Sequence, residues 1–260
     1  MIRTALVTGA SAGLGEEFAR QLAARRTDLV LVARREQALT DLAGELERLH
    51  GVTVEVLPAD LATPTGVAAV AGRLTDAERP VDLLVNNAGF GLYGPFAELD
   101  AERQQQMVDL NVGAVVALSR AALPGMLERG GGAVLNVAST AAFQPDPWGA
   151  VYGATKAFVR SFSEALHEEV RGTGVRVLVS CPGFTATEFQ QVAGIAGDAM
   201  PDAVAMTVEP VVAAALDDLQ RGRAVSVPGW QNKVSAWGSD LTPSALTRRI
   251  SGRVHAAWTR

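Results

Sequence analysis

The chain has a single cysteine, Cys181, so it can form no internal disulfide and no cysteine-built metal cluster. Its three histidines, His50, His167 and His255, make no H-x-x-x-H pair, and no metal site is expected. Aromatic residues are scarce at 5%, and only Tyr93 and Tyr152 could do phenol chemistry. Basic residues are also in deficit: 23 Lys and Arg stand against 28 Asp and Glu, and a formal charge of −5 gives nucleic acid no footprint to bind. No apolar run near the roughly 18 residues of a membrane span stands out. The opening MIRTALVTGA reads as the start of a strand rather than a signal peptide, so a cytoplasmic protein is expected. Glycine, by contrast, is in excess at 26 of 260 residues, against a usual share of roughly 7%. It follows no collagen-like period, so particular turns must account for it.

Short aliphatic runs alternate with longer stretches of helical period, the pattern of a parallel sheet covered by helices. Strands are predicted near Ala5–Thr8, Asp28–Ala33, Val52–Leu57, Val81–Val85, Ala133–Ala138, Val175–Ser180 and Ala224–Val227. Helices are predicted near Gly13–Arg26, Glu36–His50, Pro64–Arg79, Ala101–Glu128, Gly149–Gly172 and Glu209–Arg221. Each strand is apolar throughout, as buried parallel strands are. The expected fold class is α/β, a Rossmann-type doubly wound fold of about seven parallel strands flanked by helices. No linker or repeat divides residues 1–260, which are read as one domain. Two stretches stand outside the alternation. Phe184–Thr207, interrupted by Gly194, Gly197 and Pro201, reads as a substrate lid, and the tail from Pro228 as a loop followed by a terminal helix. Within that tail, Ser244–Arg260 carries Arg248, Arg249, Arg253 and Arg260 with no acid, and Leu246, Ile250, Val254 and Trp258 at helical spacing. Such a stripe can lie on a membrane, but it more often packs on its own domain or on a partner subunit, and no membrane contact is expected.

Thr8-Gly9-Ala10-Ser11-Ala12-Gly13-Leu14-Gly15 follows the first strand and opens the first helix. Glycines there let backbone approach a pyrophosphate closely, and free N–H groups at the helix start favour the anion. Gly9, Ser11, Gly13, Leu14 and Gly15 are therefore candidate cofactor ligands. A carboxylate at the end of the second strand would bond the adenosine ribose 2′-hydroxyl, whereas arginine would hold a 2′-phosphate. The strand ends Val32-Ala33-Arg34-Arg35 with no acid, so NADP(H) is expected in preference to NAD(H), with Arg34 the first candidate and Arg35 the second. The alternative is that both are solvated residues at a helix start, although cations there oppose the macrodipole. Further along, Tyr152 and Lys156 share a helix face, and an ammonium near a phenol would stabilise its phenolate. Ser139 follows the fifth strand, at the carboxyl edge where open α/β sheets bind ligands, and its hydroxyl could hold a carbonyl oxygen. A lone Y-x-x-x-K is common by chance; the glycine turn in the same chain gives this one its weight.

Together these residues resemble the short-chain dehydrogenase/reductase family. Thr8–Gly15 matches its cofactor turn, Asn86-Asn87-Ala88-Gly89 its N-N-A-G element and Asn111 its helix asparagine. Ser139, Tyr152 and Lys156 match its catalytic set, Pro182-Gly183 with Thr187 its P-G-x-x-x-T element, and Asp60-Leu61 its adenine-contacting pair. The resemblance covers about residues 1–190. It implies hydride transfer between a nicotinamide and a carbonyl or alcohol. Tyr152 would protonate the developing alkoxide, and Lys156 would lower the tyrosine pKa while holding the nicotinamide ribose. Ser139 would polarise the carbonyl, and Asn111 would anchor a relay water at a helix irregularity. Asn87, Ala88 and Gly89 would floor the cofactor site, and Thr187 with the backbone near Thr185 would bind the carboxamide. One departure is Ala12, where some NADP-preferring members carry a basic residue. A homodimer or homotetramer is expected.

Three segments should surround the nicotinamide: Phe90–Phe96, Ala141–Trp148 and Phe184–Met206. They hold Phe90, Leu92, Tyr93, Phe96, Phe143, Trp148, Phe184, Phe189, Val192, Ile195, Met200 and Met206, and no Lys or Arg. The expected substrate is therefore an apolar ketone or aldehyde, reduced reversibly to an alcohol. A non-catalytic NADP(H) sensor or scaffold is the alternative, though a sensor has no use for a proton donor. A nucleotide-sugar epimerase would carry a G-x-x-G-x-x-G spacing and a longer substrate domain.

Overall fold

The computed structural model describes residues 2–185, 189, 193, 206–242, 247 and 248. Its strands are β1 (Thr4–Thr8), β2 (Asp28–Ala33), β3 (Val54–Pro58), β4 (Leu83–Asn86), β5 (Gly132–Val137), β6 (Val175–Ser180) and β7 (Val225–Ser226). They pair in parallel in one sheet of order β3-β2-β1-β4-β5-β6-β7. The α-helices are α1 (Gly13–Ala24), α2 (Glu36–His50), α3 (Pro64–Leu74), α4 (Ala101–Val108), α5 (Val115–Glu128), α6 (Ala150–Glu169), α7 (Val208–Gln220) and α8 (Trp230–Leu241), with a π-helical turn at Asp109–Ala114 and a 3₁₀ turn at Thr140–Phe143. The expected doubly wound α/β fold is the one that forms.

A strand covered by helices on both sides must be apolar on both faces. In β1, Ala5 and Val7 point one way and Leu6 the other. Ala5 and Val7 join Leu29, Leu31, Val85 and Leu135 in a core closed by Phe18 and Leu22 of α1, Leu39 and Leu46 of α2, and Val212 and Leu216 of α7. Leu6 joins Val30, Leu84, Val134 and Val177 in the opposite layer, closed by Val70 of α3 and by Leu118 and Met126 of α5. Helix ends are marked as the sequence leads one to expect. The Thr63 hydroxyl accepts from the Gly66 N–H with Pro64 in the first turn of α3, and the Asp100 carboxylate accepts from the Arg103 N–H at 2.7 Å to start α4.

Several boundaries differ from expectation for local reasons. The helix expected over Pro64–Arg79 stops at Leu74, because the Asp76 carboxylate accepts from the N–H groups of Glu78 and Arg79 and holds a turn there. β3 begins at Val54 and β4 at Leu83, while Val52 and Val81 are buried as loop residues. The strand expected over Ala224–Val227 shrinks to Val225–Ser226 at the sheet edge. The helix expected over Ala101–Glu128 is broken by a π-helical turn at Asp109–Ala114. By length and composition the run Ala101–Glu128 is also apolar enough to cross a membrane, contrary to the expectation that no such run exists. Its Leu118, Ala122 and Met126 are buried against the sheet, as in a core helix. Of the expected lid, only Phe184, Thr185, Phe189, Ala193, Met206 and Thr207 are among the described residues. Of the basic stripe Ser244–Arg260, only Thr247 and Arg248 are.

Chain order runs β1, β2, β3 in one direction and β4 to β7 in the other. The reversal between β1 and β4 separates the loops leaving their carboxyl ends, and a ligand crevice opens at such a switch point.

Candidate active site

A cavity of about 700 Å³ occupies that crevice. The glycine turn forms one wall. Gly9 has a left-handed φ of 67°, and a side chain on Gly15 would bring its Cβ to 2.1 Å from the Gly9 carbonyl oxygen, so the turn closes only because Gly15 has none. Ala12 precedes α1 with no side chain capping the helix, which leaves the first N–H groups facing the cleft. Thr8 ties this wall to β4. Its Oγ1 donates to the Val85 carbonyl at 3.2 Å and accepts from the N–H groups of Asn87 and Ala88, while Asn87 Nδ2 donates to the Thr8 carbonyl.

At the end of β2, Arg34 and Arg35 are both exposed and both line the cleft. Arg35 Nε donates to Ser11 Oγ at 3.3 Å, and its Nη2 donates to the Ser11 carbonyl at 3.0 Å. The second-choice arginine is thus the one held against the glycine turn. Asp60 and Leu61 lie on the same side, with Asp60 Oδ1 accepting from the Ala62 N–H.

The other wall begins where β5 ends. Ser139 caps a short 3₁₀ turn, Thr140–Phe143, and its Oγ accepts from the Ala141 N–H. Tyr152 and Lys156 stand on the first turns of α6, both buried. The Tyr152 ring packs between Tyr93 and Phe189, at centroid distances of 5.8 and 5.4 Å. Burial pushes the Tyr152 phenol well above its usual range, a hydrogen bond with Ser139 pulls it down, and the nearby Asp146 charge raises it further. Lys156 Nζ donates to the Val137 carbonyl at 2.9 Å and lies 5.8 Å from the Tyr152 ring centroid. Burial lowers its ammonium to about 8, against a smaller upward pull from Cys181.

The π-helical turn carries Asn111 into the interior. Its Oδ1 accepts from the Phe90 N–H, and its Nδ2 donates to the Phe90 carbonyl and to Thr155 Oγ1. The helix irregularity expected at Asn111 is present, and the side chain brackets the loop after β4 to α6.

Of the residues singled out from sequence, Gly9, Ser11, Gly13, Leu14, Arg34, Arg35, Asp60, Leu61, Asn87, Ala88, Gly89, Ser139, Tyr152, Lys156, Pro182, Gly183 and Thr185 line this one cleft. Gly15 sits directly behind the glycine turn and Asn111 behind Gly89, where a Cβ would meet Asn111 Oδ1 at 2.8 Å. Thr187 lies outside the described residues. Sequence reasoning missed Thr8, Thr155, Arg103 and Asp146. Thr8 opens the glycine turn, a signal that could have found it; Arg103 comes from α4, outside the three segments expected to surround the nicotinamide.

The expected apolar lining is redistributed. Phe90, Tyr93, Phe184 and Phe189 do face the cleft. Leu92, Phe96 and Trp148 line a separate pocket of about 360 Å³. Phe143 is buried in the core, with the Arg160 guanidinium 3.8 Å from its ring centroid. Val192, Ile195 and Met200 lie outside the described residues, and Met206 N–H donates to the Phe184 carbonyl. Arg103, Gln106, Gln144 and Asp146 give the cleft polar groups beyond those expected.

Against this geometry, the sequence profile of the short chain dehydrogenase family matches residues 3–195. Sulfoacetaldehyde reductase 2 of Chromohalobacter salexigens is 39% identical over 210 residues, covering 80% of this chain and 82% of that one. Among solved structures, a short-chain dehydrogenase from Sphingobium yanoikuyae in complex with NADPH superposes with a TM-score of 0.85 at 37% identity, covering 98% of this chain and 95% of that one. A bulky-bulky ketone specific alcohol dehydrogenase from Comamonas testosteroni superposes with a TM-score of 0.79 at 30% identity, covering 98% and 93%.

Proposed function

The chain belongs to the short-chain dehydrogenase family, and from that premise we propose that it is an NADPH-dependent reductase of ketones or aldehydes, running in reverse as an alcohol dehydrogenase. The observation that carries this reading is the meeting of Ser139, Tyr152 and Lys156 with the glycine turn and two arginines in one cleft.

The residues present fit the cofactor. A turn that closes only around a side-chain-free Gly15, beside an uncapped helix start, suits a pyrophosphate. Arg34, Arg35 and Ser11 would hold the 2′-phosphate, and no carboxylate at the end of β2 opposes it. Asp60 and Leu61 would meet the adenine, Asn87, Ala88 and Gly89 would form the floor, and Lys156 would hold the nicotinamide ribose. Pro182, Gly183 and Thr185 would bind the carboxamide, together with Thr187. When bound, NADPH supplies the hydride. Ser139 orients the carbonyl oxygen, and Tyr152 hands that oxygen its proton. Burial, by raising the phenol, keeps this proton in place at neutral pH, the state from which a reduction starts. Oxidation needs the phenolate instead, and the Lys156 charge supports it.

Phe90, Tyr93, Phe184 and Phe189 favour a lipophilic substrate body. NADPH oxidation measured against a panel of carbonyl compounds tests the assignment. Acetophenone-like ketones and aldehydes are expected to exceed pyruvate-like oxo acids at least tenfold in kcat/KM, which needs only about 1.4 kcal/mol of differential transition-state binding. A preference for the small charged set, or no turnover of any carbonyl, refutes it.

A further inference from the structure

Helix α8 lies beyond residue 195, where the match to the family profile ends, yet it packs on the back of the cleft. Trp230, Val234 and Trp237 are exposed on it, while Asn232, Ala236 and Ser239, at helical spacing, form the face turned inward. Ala236 is buried among Ala142, Phe143 and Cys181. The Ser239 hydroxyl is within hydrogen-bond distance of Gln144 Oε1, at 3.1 Å, and Gln144 lines the cleft. Asn232 meets the Pro182-Gly183 turn, which the Thr140 N–H joins to the Ser139 side by donating to the Pro182 carbonyl at 2.9 Å.

A Cβ on Gly183 would lie 2.4 Å from Asn232 Nδ2, 2.5 Å from its Oδ1 and 2.6 Å from its Cγ. The nearest atoms to that Cβ thus all belong to one amide, which fills the space a side chain at 183 would need. Gly183 has no positive φ, so its backbone angles do not call for glycine. The amide is itself fixed. Its Nδ2 donates to the Pro228 carbonyl at 2.8 Å and to Met206 Sδ at 3.3 Å. Met206 in turn bridges to Thr185, and its N–H donates to the Phe184 carbonyl at 3.0 Å. Pro182, Gly183, Phe184 and Thr185 line the cleft and Asn232 does not, so it stands behind them. Resting on the NADPH-dependent reductase reading, we propose that Asn232 is a positioning residue for the nicotinamide half of the cofactor. It backs the Pro182–Thr185 turn where that turn would bind the carboxamide, and joins it to Met206. The adenosine half meets the glycine turn and the arginines on the opposite wall, which Asn232 does not touch.

The test compares NADPH with 2′-phospho-ADP-ribose, the same cofactor without its nicotinamide. Dissociation constants of both are measured by titration calorimetry on the wild type, Asn232→Ala, Gly183→Ala and the double variant. Asn232→Ala is expected to weaken NADPH by about tenfold and the fragment by less than about twofold, the scale of one lost hydrogen bond felt at one end of the ligand. Gly183→Ala should weaken NADPH when Asn232 is present, because its Cβ must displace the amide. It should add little once Asn232→Ala has emptied that space, a non-additivity expected of residues in contact. Should Asn232→Ala fail to fold, Asn232→Asp keeps the shape, sets a carboxylate oxygen against the Pro228 carbonyl, and is expected to show the same selective loss. Equal weakening of both ligands, unchanged NADPH affinity, or the same Gly183→Ala effect in both backgrounds overturns the proposal. The two failures are told apart by the wild type: if it binds neither ligand, the NADPH reading is refuted and the proposal with it, whereas a failure confined to the variants refutes the positioning role alone.

Discussion

Replacing Lys156 with methionine should stabilise the cofactor-free protein at neutral pH, by an amount that disappears as the pH rises. Lys156 is 6% exposed, and burial lowers the pKa of its ammonium from 10.5 to about 8. The unfolded chain therefore keeps this proton up to about 10.5, while the folded chain releases it near 8. Below pH 8 both states are charged and folding bears the full cost. Between the two values the unfolded state binds more protons, so this group's contribution to stability rises with pH until the cost is gone. The gap between 10.5 and about 8, at roughly 1.4 kcal/mol per pH decade, amounts to about 3 kcal/mol. Loss of the hydrogen bond to the Val137 carbonyl offsets about 1 kcal/mol of that at every pH. A net gain of about 2 kcal/mol in Lys156→Met below pH 8 should thus turn into a loss of about 1 kcal/mol near pH 10.5. Urea unfolding of both proteins across pH 7 to 10.5 measures it. Only the difference is informative, because Cys181, raised by burial to about 12, and Tyr152, also raised by burial, act equally in both. A stability difference that does not change with pH would refute the reasoning. The variant should also lose NADPH affinity, the usual exchange of function for stability at a site residue.

Tyr152→Phe should leave NADPH affinity within a few-fold while turnover falls by roughly 10²–10⁴, the usual contribution of a general acid; near-normal turnover in steady-state assays would remove the assignment. Arg35→Ala should weaken NADPH by roughly 10- to 150-fold and leave NADH nearly unchanged, since a charge-assisted contact contributes about 1.5–3 kcal/mol. Fluorescence titration with both cofactors, run beside Arg34→Ala, tells which arginine matters more, and equal NADH and NADPH affinity in the wild type would end the preference.

The fold was legible because parallel strands buried on both faces leave an unbroken apolar signature, as in Ala5-Leu6-Val7 and Leu83-Leu84-Val85. Element ends were less so. Asp76 stops α3 through two backbone N–H groups, a choice made by local hydrogen bonds that apolar periodicity does not register. The cofactor wall was legible for a different reason, since backbone that must pass close to backbone demands glycine, and a Cβ on Gly15 would fall 2.1 Å from the Gly9 carbonyl oxygen. The substrate wall was not. Side-chain direction decides whether Phe143 enters the core or Phe189 the cleft, and residue type alone does not carry direction. Arg103 was invisible for a topological reason: it reaches the cleft from α4, through a loop whose path depends on how Asn111 holds Phe90.

What keeps the two walls of the cleft in register is a polar row through an otherwise apolar interior. Asn86 at the end of β4 donates to Ser119 Oγ of α5 at 3.2 Å and to Asn136 Oδ1 of β5 at 2.9 Å. Asn136 Nδ2 in turn donates to Ser163 Oγ of α6 at 2.9 Å, and that hydroxyl donates to the Val159 carbonyl. All four side chains are buried. Apolar contacts alone tolerate small slippage of a helix over a sheet, but a buried amide left unpaired costs about 1–3 kcal/mol, so this row permits one alignment. α5 continues from the turn that carries Asn111, and α6 carries Tyr152 and Lys156 near its start. Fixing Ser119 and Ser163 against the same pair of strands therefore fixes where those residues stand relative to Ser139 at the end of β5. A reaction sensitive to displacements of an ångström needs that alignment, and here it is set by hydrogen bonds from Asn86 and Asn136, each one residue before the cleft lining.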